Sequence, residues 1–161
     1  MSNQNQLTHL TRAADAFIAS IQALPAHLFL ARIDGWTPRD VIAHLAWWNN
    51  NMLVACKDLQ RGKTPSYYAD TLNDYRNINA QAIAQFWAQE KRVLLAQMKS
   101  TLFEFKEYLE ALDAKEWEAE RGVQHPRGGA ATISRIVDSL IGDYETHTKQ
   151  IEEWHAVVSN Q

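Results

Sequence analysis

Residues 132–158 read TISRIVDSLIGDYETHTKQIEEWHAVV. Apolar side chains recur here in steps of three and four residues, which is the spacing of one face of an α-helix. Thr132 can cap the first turn, so the stretch predicts a helix from there to about Val157 that buries this face. The face is formed by Ile133, Ile136, Leu140, Asp143, His147, Ile151, Trp154 and Val158.

Two ionisable residues, Asp143 and His147, interrupt this face. They lie four residues apart, so both side chains project into the same part of the core. An earlier helical face, which contains Val41, Trp48 and Met52, is interrupted in the same way by His44. Because a buried carboxylate without a partner costs several kcal/mol, Asp143 requires a cation or hydrogen-bond donors.

Two interpretations of these three residues are open. Two imidazoles and one carboxylate form a facial ligand set that can hold a divalent metal ion and leave coordination positions free. Alternatively, His44, Asp143 and His147 form a hydrogen-bonded polar network in the core and bind no ion. The spacing within each helix does not show whether the two helices are neighbours.

The rest of the chain also predicts helices and no convincing strand. Helix one is expected from Asn5 to Ala23, and helix two from Pro38, after the capping residue Thr37, to Arg61. Residues 71–112 show a helical pattern that is too long for one bundle helix, about 60 Å. A break is therefore expected near residues 86–89, with a main helix three from Glu90 to Ala111, a short turn at 113–117 and a loop at 118–131.

Composition and charge narrow the class of protein. The chain has 161 residues, of which 46% are hydrophobic and 22% charged, so one globular domain over residues 1–161 is expected. The net charge is −3 and the basic residues are scattered, which argues against nucleic acid as a partner. The single cysteine, Cys56, excludes an internal disulfide, and no apolar run suits a membrane span, so a cytoplasmic location without membrane binding is expected.

Three segments together resemble the DinB-like superfamily, which includes the mycothiol-dependent maleylpyruvate isomerase. They are WTPRDVIAHLAWW at residues 36–48, TLNDY at residues 71–75 and DYETHTKQIEEW at residues 143–154. Within the superfamily, the chain looks most like the ClbS/DfsB branch of four-helix-bundle proteins. The resemblance implies an all-α, antiparallel four-helix bundle with up-up-down-down topology that frequently forms a homodimer.

The resemblance also implies a site and a range of activities. In many members three side chains hold a Ni, Zn or Fe ion, and His44 and His147 match two of these ligand positions. Asp143 matches the third, although the family usually has His or Glu there. The implied function is that of a metal-dependent hydrolase, or of a transferase that uses a low-molecular-weight thiol, acting on a small molecule in detoxification or self-protection.

Several other residues are candidates for the substrate pocket, and each has a plainer interpretation. Trp36, Trp48 and Tyr144 could form its walls, although tryptophan is more often a packing residue. Asn51 and Asn73 could orient a substrate, or could be surface or capping asparagines. No catalytic residue is assigned, and His125, in the loop before the last helix, is expected to be solvated. The alternative functions are a non-catalytic small-molecule-binding protein and a structural dimeric bundle without metal.

Overall fold

A computed structural model describes residues 2–86 and 90–161, and the regular elements in these two ranges are helices. The α-helices are α1 (Asn3–Gln22), α2 (Pro38–Gln60), α3 (Arg76–Phe86), α4 (Lys91–Glu110), α5 (Ala114–Trp117) and α6 (Ile133–Ser159). Short 3-10 helices cover Ala26–Leu28 and Ser66–Asn73. The expected all-α class is confirmed.

Both terminal helices begin directly after a capping residue, α6 where the sequence predicts it and α1 two residues before the predicted start at Asn5. The hydroxyl of Thr132 accepts a hydrogen bond from the backbone N–H of Arg135 at 3.2 Å, and α6 starts at the next residue, Ile133. In α1 the hydroxyl of Ser2 accepts from the N–H of Asn5 at 3.3 Å. These helices pack against each other, and the predicted apolar stripe of α6 faces the core from Ile133 to Ile151.

Helix α2 lies against α3, α4 and α6, which makes it the most enclosed element of the described chain. Its start is held by a reciprocal capping box. The hydroxyl of Thr37 accepts from the N–H of Asp40 at 3.2 Å, and the carboxylate of Asp40 accepts from the N–H of Thr37 at 2.9 Å. Pro38 occupies the first helical position, where a missing N–H has no cost.

The segment before α3 differs from the prediction of a helix that starts at residue 71. A 3-10 helix runs to Asn73, and the chain then turns through two left-handed residues, Asp74 at φ 52° and Tyr75 at φ 58°. Asp70 stabilises this turn, because its carboxylate accepts hydrogen bonds from the side chain of Asn77 at 3.0 Å and from the N–H of Ile78 at 3.2 Å. The carboxylate of Asp70 therefore caps the first turn of α3, and this helix begins at Arg76 instead of residue 71.

The predicted break between the two middle helices falls on residues 87–89, which lie outside the described residues. Helix α3 ends at Phe86 and α4 begins at Lys91. The short turn predicted at residues 113–117 is found as α5. None of the described helices combines the length and apolar character needed to cross a bilayer.

Candidate metal centre

Three side chains from two helices meet at one point of the core. His44 on α2 places its Nε2 atom 2.9 Å from one carboxylate oxygen of Asp143 on α6. His147, one turn further along α6, places its Nε2 atom 3.3 Å from the other oxygen. One potential ligand atom from each residue lies within 4.8 Å of the other two. The polar positions on the buried faces of α2 and α6 are thus neighbours in the structure, at the same height along the two helices.

A fourth residue, Asn79 on α3, orients this cluster and was not predicted. Its Oδ1 atom lies 3.1 Å from the Nδ1 atom of His44 and accepts a hydrogen bond from the indole N–H of Trp48 at 2.8 Å. Because an indole nitrogen can only donate, the shared Asn79 atom is the oxygen and not the nitrogen. It follows that the Nδ1 atom of His44 is a donor too. Nothing in the amide-rich α3 sequence distinguishes Asn79 from its neighbours.

This orientation decides what the other ring nitrogen of His44 can do. With a proton on Nδ1, the neutral imidazole presents a lone pair at Nε2, directly towards the carboxylate of Asp143. That contact is favourable only if Nε2 is also protonated or if a cation lies between the two groups. The Nδ1 atom of His147 likewise lies 3.0 Å from the side-chain amide of Gln150, and the amide oxygen in this position would hold the ring in the same tautomer.

The donor set fits a divalent metal ion. Ligand bonds of about 2.1 Å at tetrahedral or octahedral angles separate neighbouring ligand atoms by about 3.0–3.4 Å. The Nε2 atoms of His44 and His147 lie 2.9 and 3.3 Å from the two different oxygens of Asp143, and the three candidate ligand atoms lie within 4.8 Å of one another, so a small adjustment of the side chains would bring them around one ion. The amide partners on Nδ1 leave both Nε2 atoms as ligands, as outer partners of metal-bound histidines do. A divalent ion would also replace the charge of two Nε2 protons. Asp143 is therefore compatible with the site although it is shorter than the residues the family usually has.

The polar surroundings of Asp143 outweigh its burial. Desolvation alone would raise the pKa of the carboxyl group, but hydrogen bonds from His147 and His44 lower this pKa well below its ordinary range. For His147, burial works towards a lower pKa, and the neighbouring Asp143 carboxylate more than offsets it, so the pKa of the imidazole is raised. In the metal-free protein the site thus holds an ionised carboxylate beside His147, whose raised pKa favours the protonated imidazole.

A cavity of about 290 Å³ opens onto this cluster. His44, Asp143 and Asn79 form its polar side, and Trp48 and Tyr67 form part of its aromatic wall. Asp143 keeps 30% of its side-chain surface accessible, compared with 6% for His44, so the carboxylate is the more open of the two. A small molecule in the cavity would therefore contact the cluster directly.

Of the predicted pocket residues, Trp48 lines this cavity and Trp36 covers the cluster from another side. The Trp36 ring stacks on His147 with centroids 5.9 Å apart and lies 5.0 Å from the His44 ring. It borders a separate groove together with Asp40 and Asn79. Trp36 thus restricts the imidazole orientations and does not wall the cavity.

Three other pocket predictions are placed elsewhere by the structure. Tyr144 is fully buried, and its hydroxyl donates to Asn49 at 2.9 Å on the α6 face next to that of Asp143. Asn73 is exposed and donates to the capping residue Asp70 at 3.0 Å. Asn51 is part-buried and does not border the cavity. One residue of offset on a helix turns a side chain by about 100°, which separates Tyr144 from the cluster.

His125, expected to be a solvated loop residue, borders the cavity instead. The loop that carries it folds back as a short hairpin, in which the N–H of His125 donates to the carbonyl of Gly129 at 2.8 Å. The His125 ring packs edge-on against Tyr68, with centroids 5.3 Å apart. Two glycines in the loop, Gly128 and Gly129, adopt positive φ angles, and only this turn signal was visible in the sequence.

The fold and the site together define a class of protein. It is all-helical, and two histidines and one carboxylate form a cluster at a cavity in its core. The chain belongs to the DinB superfamily, whose family model matches residues 9–151. No curated protein matches the chain in sequence.

Several solved structures share the fold at low sequence identity. The structure described as sibling lethal factor precursor, DfsB, is 14% identical and has a TM-score of 0.78, with 97% of this chain and 96% of that chain covered. The colibactin self-resistance protein ClbS, in complex with double-stranded DNA, is 11% identical with a TM-score of 0.79, and 96% of each chain is covered.

The mycothiol-dependent maleylpyruvate isomerase is a third structure of this fold, 15% identical with a TM-score of 0.76. Here 94% of this chain covers only 61% of the isomerase, so the isomerase has a further part without counterpart here. The DNA in the ClbS structure shows that a protein of this fold can be found with nucleic acid, which weakens the prediction from charge that nucleic acid is not a partner. For this chain the absence of a nucleic-acid partner stays a prediction.

Proposed function

We propose that the protein is a metal-dependent enzyme that acts on a small molecule, as a hydrolase or as a transferase that uses a low-molecular-weight thiol. The observation that carries the proposal is the convergence of His44, Asp143 and His147 in one cluster, of which His44 and Asp143 line a cavity. The structural likeness to a self-resistance protein and to a thiol-dependent isomerase supports the same range of chemistry.

The roles of the residues follow from their positions. The Nε2 atoms of His44 and His147 and the carboxylate of Asp143 would hold the ion, which when bound supplies a Lewis acid that polarises a substrate or lowers the pKa of water or a thiol. Asn79 and Gln150 hold the imidazole rings in the ligating tautomer. Trp48 and its aromatic neighbours exclude water from one side of the cavity and present a surface for the substrate.

The arrangement of the helices as a four-helix bundle is part of the same proposal. The four longest helices, α1, α2, α4 and α6, would form the up-up-down-down antiparallel bundle of a single domain, and the shorter helices would be additions to it. The buried, free Cys56 is consistent with a reducing cytoplasm, and a homodimer is proposed from the family resemblance alone. Light scattering of the purified protein in solution tests the dimer.

Metal content tests the central point of the proposal. The purified protein is stripped with a chelator, reconstituted separately with Ni²⁺, Zn²⁺ and Fe²⁺, and desalted, and its metal is then measured by elemental analysis. The wild-type protein is expected to retain one equivalent of at least one ion. His44→Ala and His147→Ala should lose it, because two ligands do not hold a divalent ion through desalting.

His27→Ala is the matched control, because His27 is exposed and lies outside the cluster. It should retain the metal of the wild type. If the wild type retains no ion, the polar cluster is a structural network and the metal hypothesis is wrong. If a loaded protein binds small molecules without converting them, the non-catalytic binding function is correct.

A further inference from the structure

His125 is presented to the cavity by a loop that holds it in place. The N–H of His125 donates to Gly129, the N–H of Gly128 donates back to the carbonyl of His125 at 2.9 Å, and Ala131 pairs with Val123 at 2.9 Å. Arg135, in the first turn of α6, donates to the carbonyl of Gly128 at 2.6 Å and so ties the loop to that helix. The backbone position of His125 is therefore set by hydrogen bonds within the loop and to α6.

The two ring nitrogens of His125 have different partners. The Nδ1 atom accepts a hydrogen bond from the backbone N–H of Arg127 at 3.0 Å, so the proton of the neutral ring is on Nε2. Among the described residues, no hydrogen bond is made to Nε2. Burial, helped by the positive charges of Arg135 and Arg127, lowers the pKa of His125, which favours the neutral ring. His125 is thus a neutral donor without a partner at the edge of a cavity.

Another part of the cavity wall is aromatic. The Trp48 ring meets Tyr67 and Tyr75 edge to face, with centroids 5.2 and 5.6 Å apart. All three residues and Met52 border the cavity. A wall of this kind favours a flat, weakly polar molecule. The volume of about 290 Å³ limits that molecule to a small one.

We propose that His125 is a substrate-binding residue whose Nε2–H donates a hydrogen bond to a carbonyl or similar oxygen of a small planar molecule packed against Trp48, Tyr67 and Tyr75. The proposal deepens the proposed function, because the cavity is the one that opens onto the metal cluster. It assigns a substrate class, namely planar compounds with an oxygen acceptor, and it does not depend on which ion is bound.

Two probe molecules distinguish the contribution of the His125 hydrogen bond from the contribution of molecular shape to binding. para-Fluoroacetophenone has a carbonyl oxygen on a flat ring, and para-fluoroethylbenzene has nearly the same shape without the acceptor. Binding of each probe to the metal-free protein of 161 residues is measured by fluorine NMR. The wild type is expected to bind the ketone more tightly, and His125→Phe should weaken ketone binding about five-fold, as the loss of one hydrogen bond does.

The same variant should leave the hydrocarbon affinity within about two-fold, because Phe keeps the ring that packs on Tyr68. His27→Phe is the matched control and should change neither affinity. Equal weakening of both probes would mean that His125 only shapes the loop, and unchanged ketone binding would mean that it makes no contact. Either result overturns the proposal, as does a wild type that binds neither probe.

A second measurement reports on the tautomer directly. Long-range proton–nitrogen NMR of the histidine rings should show His125 protonated at Nε2 and should shift that signal when the ketone is added. A ring protonated at Nδ1 contradicts the proposal. Metal retention by His125→Phe is measured in parallel and should equal that of the wild type, so that failure of this proposal and failure of the metal site give different results.

Discussion

At His44, the two ring nitrogens perform different tasks, and this division makes the cluster suitable for a metal. Nδ1 is held by Asn79, which also holds Trp48, while Nε2 faces Asp143. The same side-chain oxygen therefore couples a candidate ligand to the aromatic wall of the cavity. Such outer partners contribute strongly to metal affinity because they fix the ring orientation and the tautomer.

Replacement of Asn79 tests this role. Asn79→Leu removes the acceptor at similar volume, so metal affinity is expected to fall about 10- to 100-fold, as it does when outer partners of ligating histidines are lost. Asn79→Asp keeps an oxygen in place and should retain wild-type affinity or exceed it. Competition with a chromophoric chelator measures both variants. Equal affinities of the Leu variant and the wild type would contradict a positioning role.

The pair of Asp143 and His147 predicts how stability changes with pH in the metal-free protein. The raised pKa of His147 stabilises the fold below its ordinary value of 6.5, and this contribution is lost as the pH rises through the raised pKa. The lowered pKa of Asp143 stabilises the fold above its ordinary value of 3.8, and this contribution is lost as the pH falls towards the lowered pKa. Stability from the pair is therefore largest between these two ordinary values.

Urea unfolding of chelator-treated protein from about pH 5.5 to about pH 9 measures the upper limb of this dependence. The free energy of unfolding of the wild type should fall more steeply than that of His147→Gln, which has no titrating ring. Parallel curves for the two proteins would exclude the pair as the cause. Metal affinity should show the opposite trend and increase with pH, because protons and the ion compete for the same nitrogens.

At the scale of the elements, the start of α3 is set by a turn that a helical pattern does not reveal. Asp74 is exposed and has a φ of 52°. This left-handed backbone conformation costs free energy for any residue that has a side chain. The following residue, Tyr75, is also left-handed and packs on Trp48. The turn thus delivers both an aromatic wall residue and, one helical turn later, Asn79 to the site.

Substitutions at Asp74 test the backbone origin of this turn. Asp74→Val should lower the free energy of unfolding by about 1–2 kcal/mol, because a β-branched residue is strained at positive φ. Asp74→Gly, which adopts this conformation freely, should retain or increase stability. Leu72→Val, at a neighbouring position that is 99% exposed, is the control and should change little. Similar losses for the Val and Gly variants would assign the effect to the side chain instead.

At the scale of the whole molecule, a second polar cluster joins three helices without facing the cavity. Asn49 on α2 accepts from the Tyr144 hydroxyl of α6 at 2.9 Å and donates to the carbonyl of Met98 and the hydroxyl of Thr101 on α4, at 3.1 and 3.2 Å. Asn49 and Tyr144 are fully buried, and their side-chain polar atoms are paired. This cluster fixes the relative positions of α2, α4 and α6, and hence the approach of His44 to Asp143.

Tyr144→Phe tests this connection. The variant leaves the buried oxygen of Asn49 without its donor, so the free energy of unfolding should fall by about 1–3 kcal/mol. The control is Tyr108→Phe, which removes a hydroxyl that donates to Gln60 at 2.6 Å at a part-buried position, and a smaller loss is expected. Urea unfolding measures both. A loss for Tyr144→Phe no larger than that of the control would contradict the structural role.

Local signals in the sequence were sufficient for the all-α class and for most helix boundaries. The caps at Thr37 and Thr132 and the helical spacing of the α6 stripe depend on residues within one or two turns, so they can be recognised without the fold. The same spacing identified His44, Asp143 and His147 as polar residues on buried faces. Tyr144, considered as a pocket wall, lies on a neighbouring face of α6 and is buried against Asn49. The predicted start of α3 was wrong because the turn that Asp70 stabilises leaves the spacing of apolar residues unchanged.

Only the tertiary structure decided which of these residues meet. The contacts between His44 and Asp143, and between Asn79 and both His44 and Trp48, join residues 31 to 99 positions apart. Such contacts depend on how helices pack and rotate against one another, and the pattern within one helix contains no information on this. The position of His125 at the cavity depends in the same way on where its loop is tied to α6. The candidate ligands are thus a property of the sequence, whereas the site and its cavity are properties of the fold.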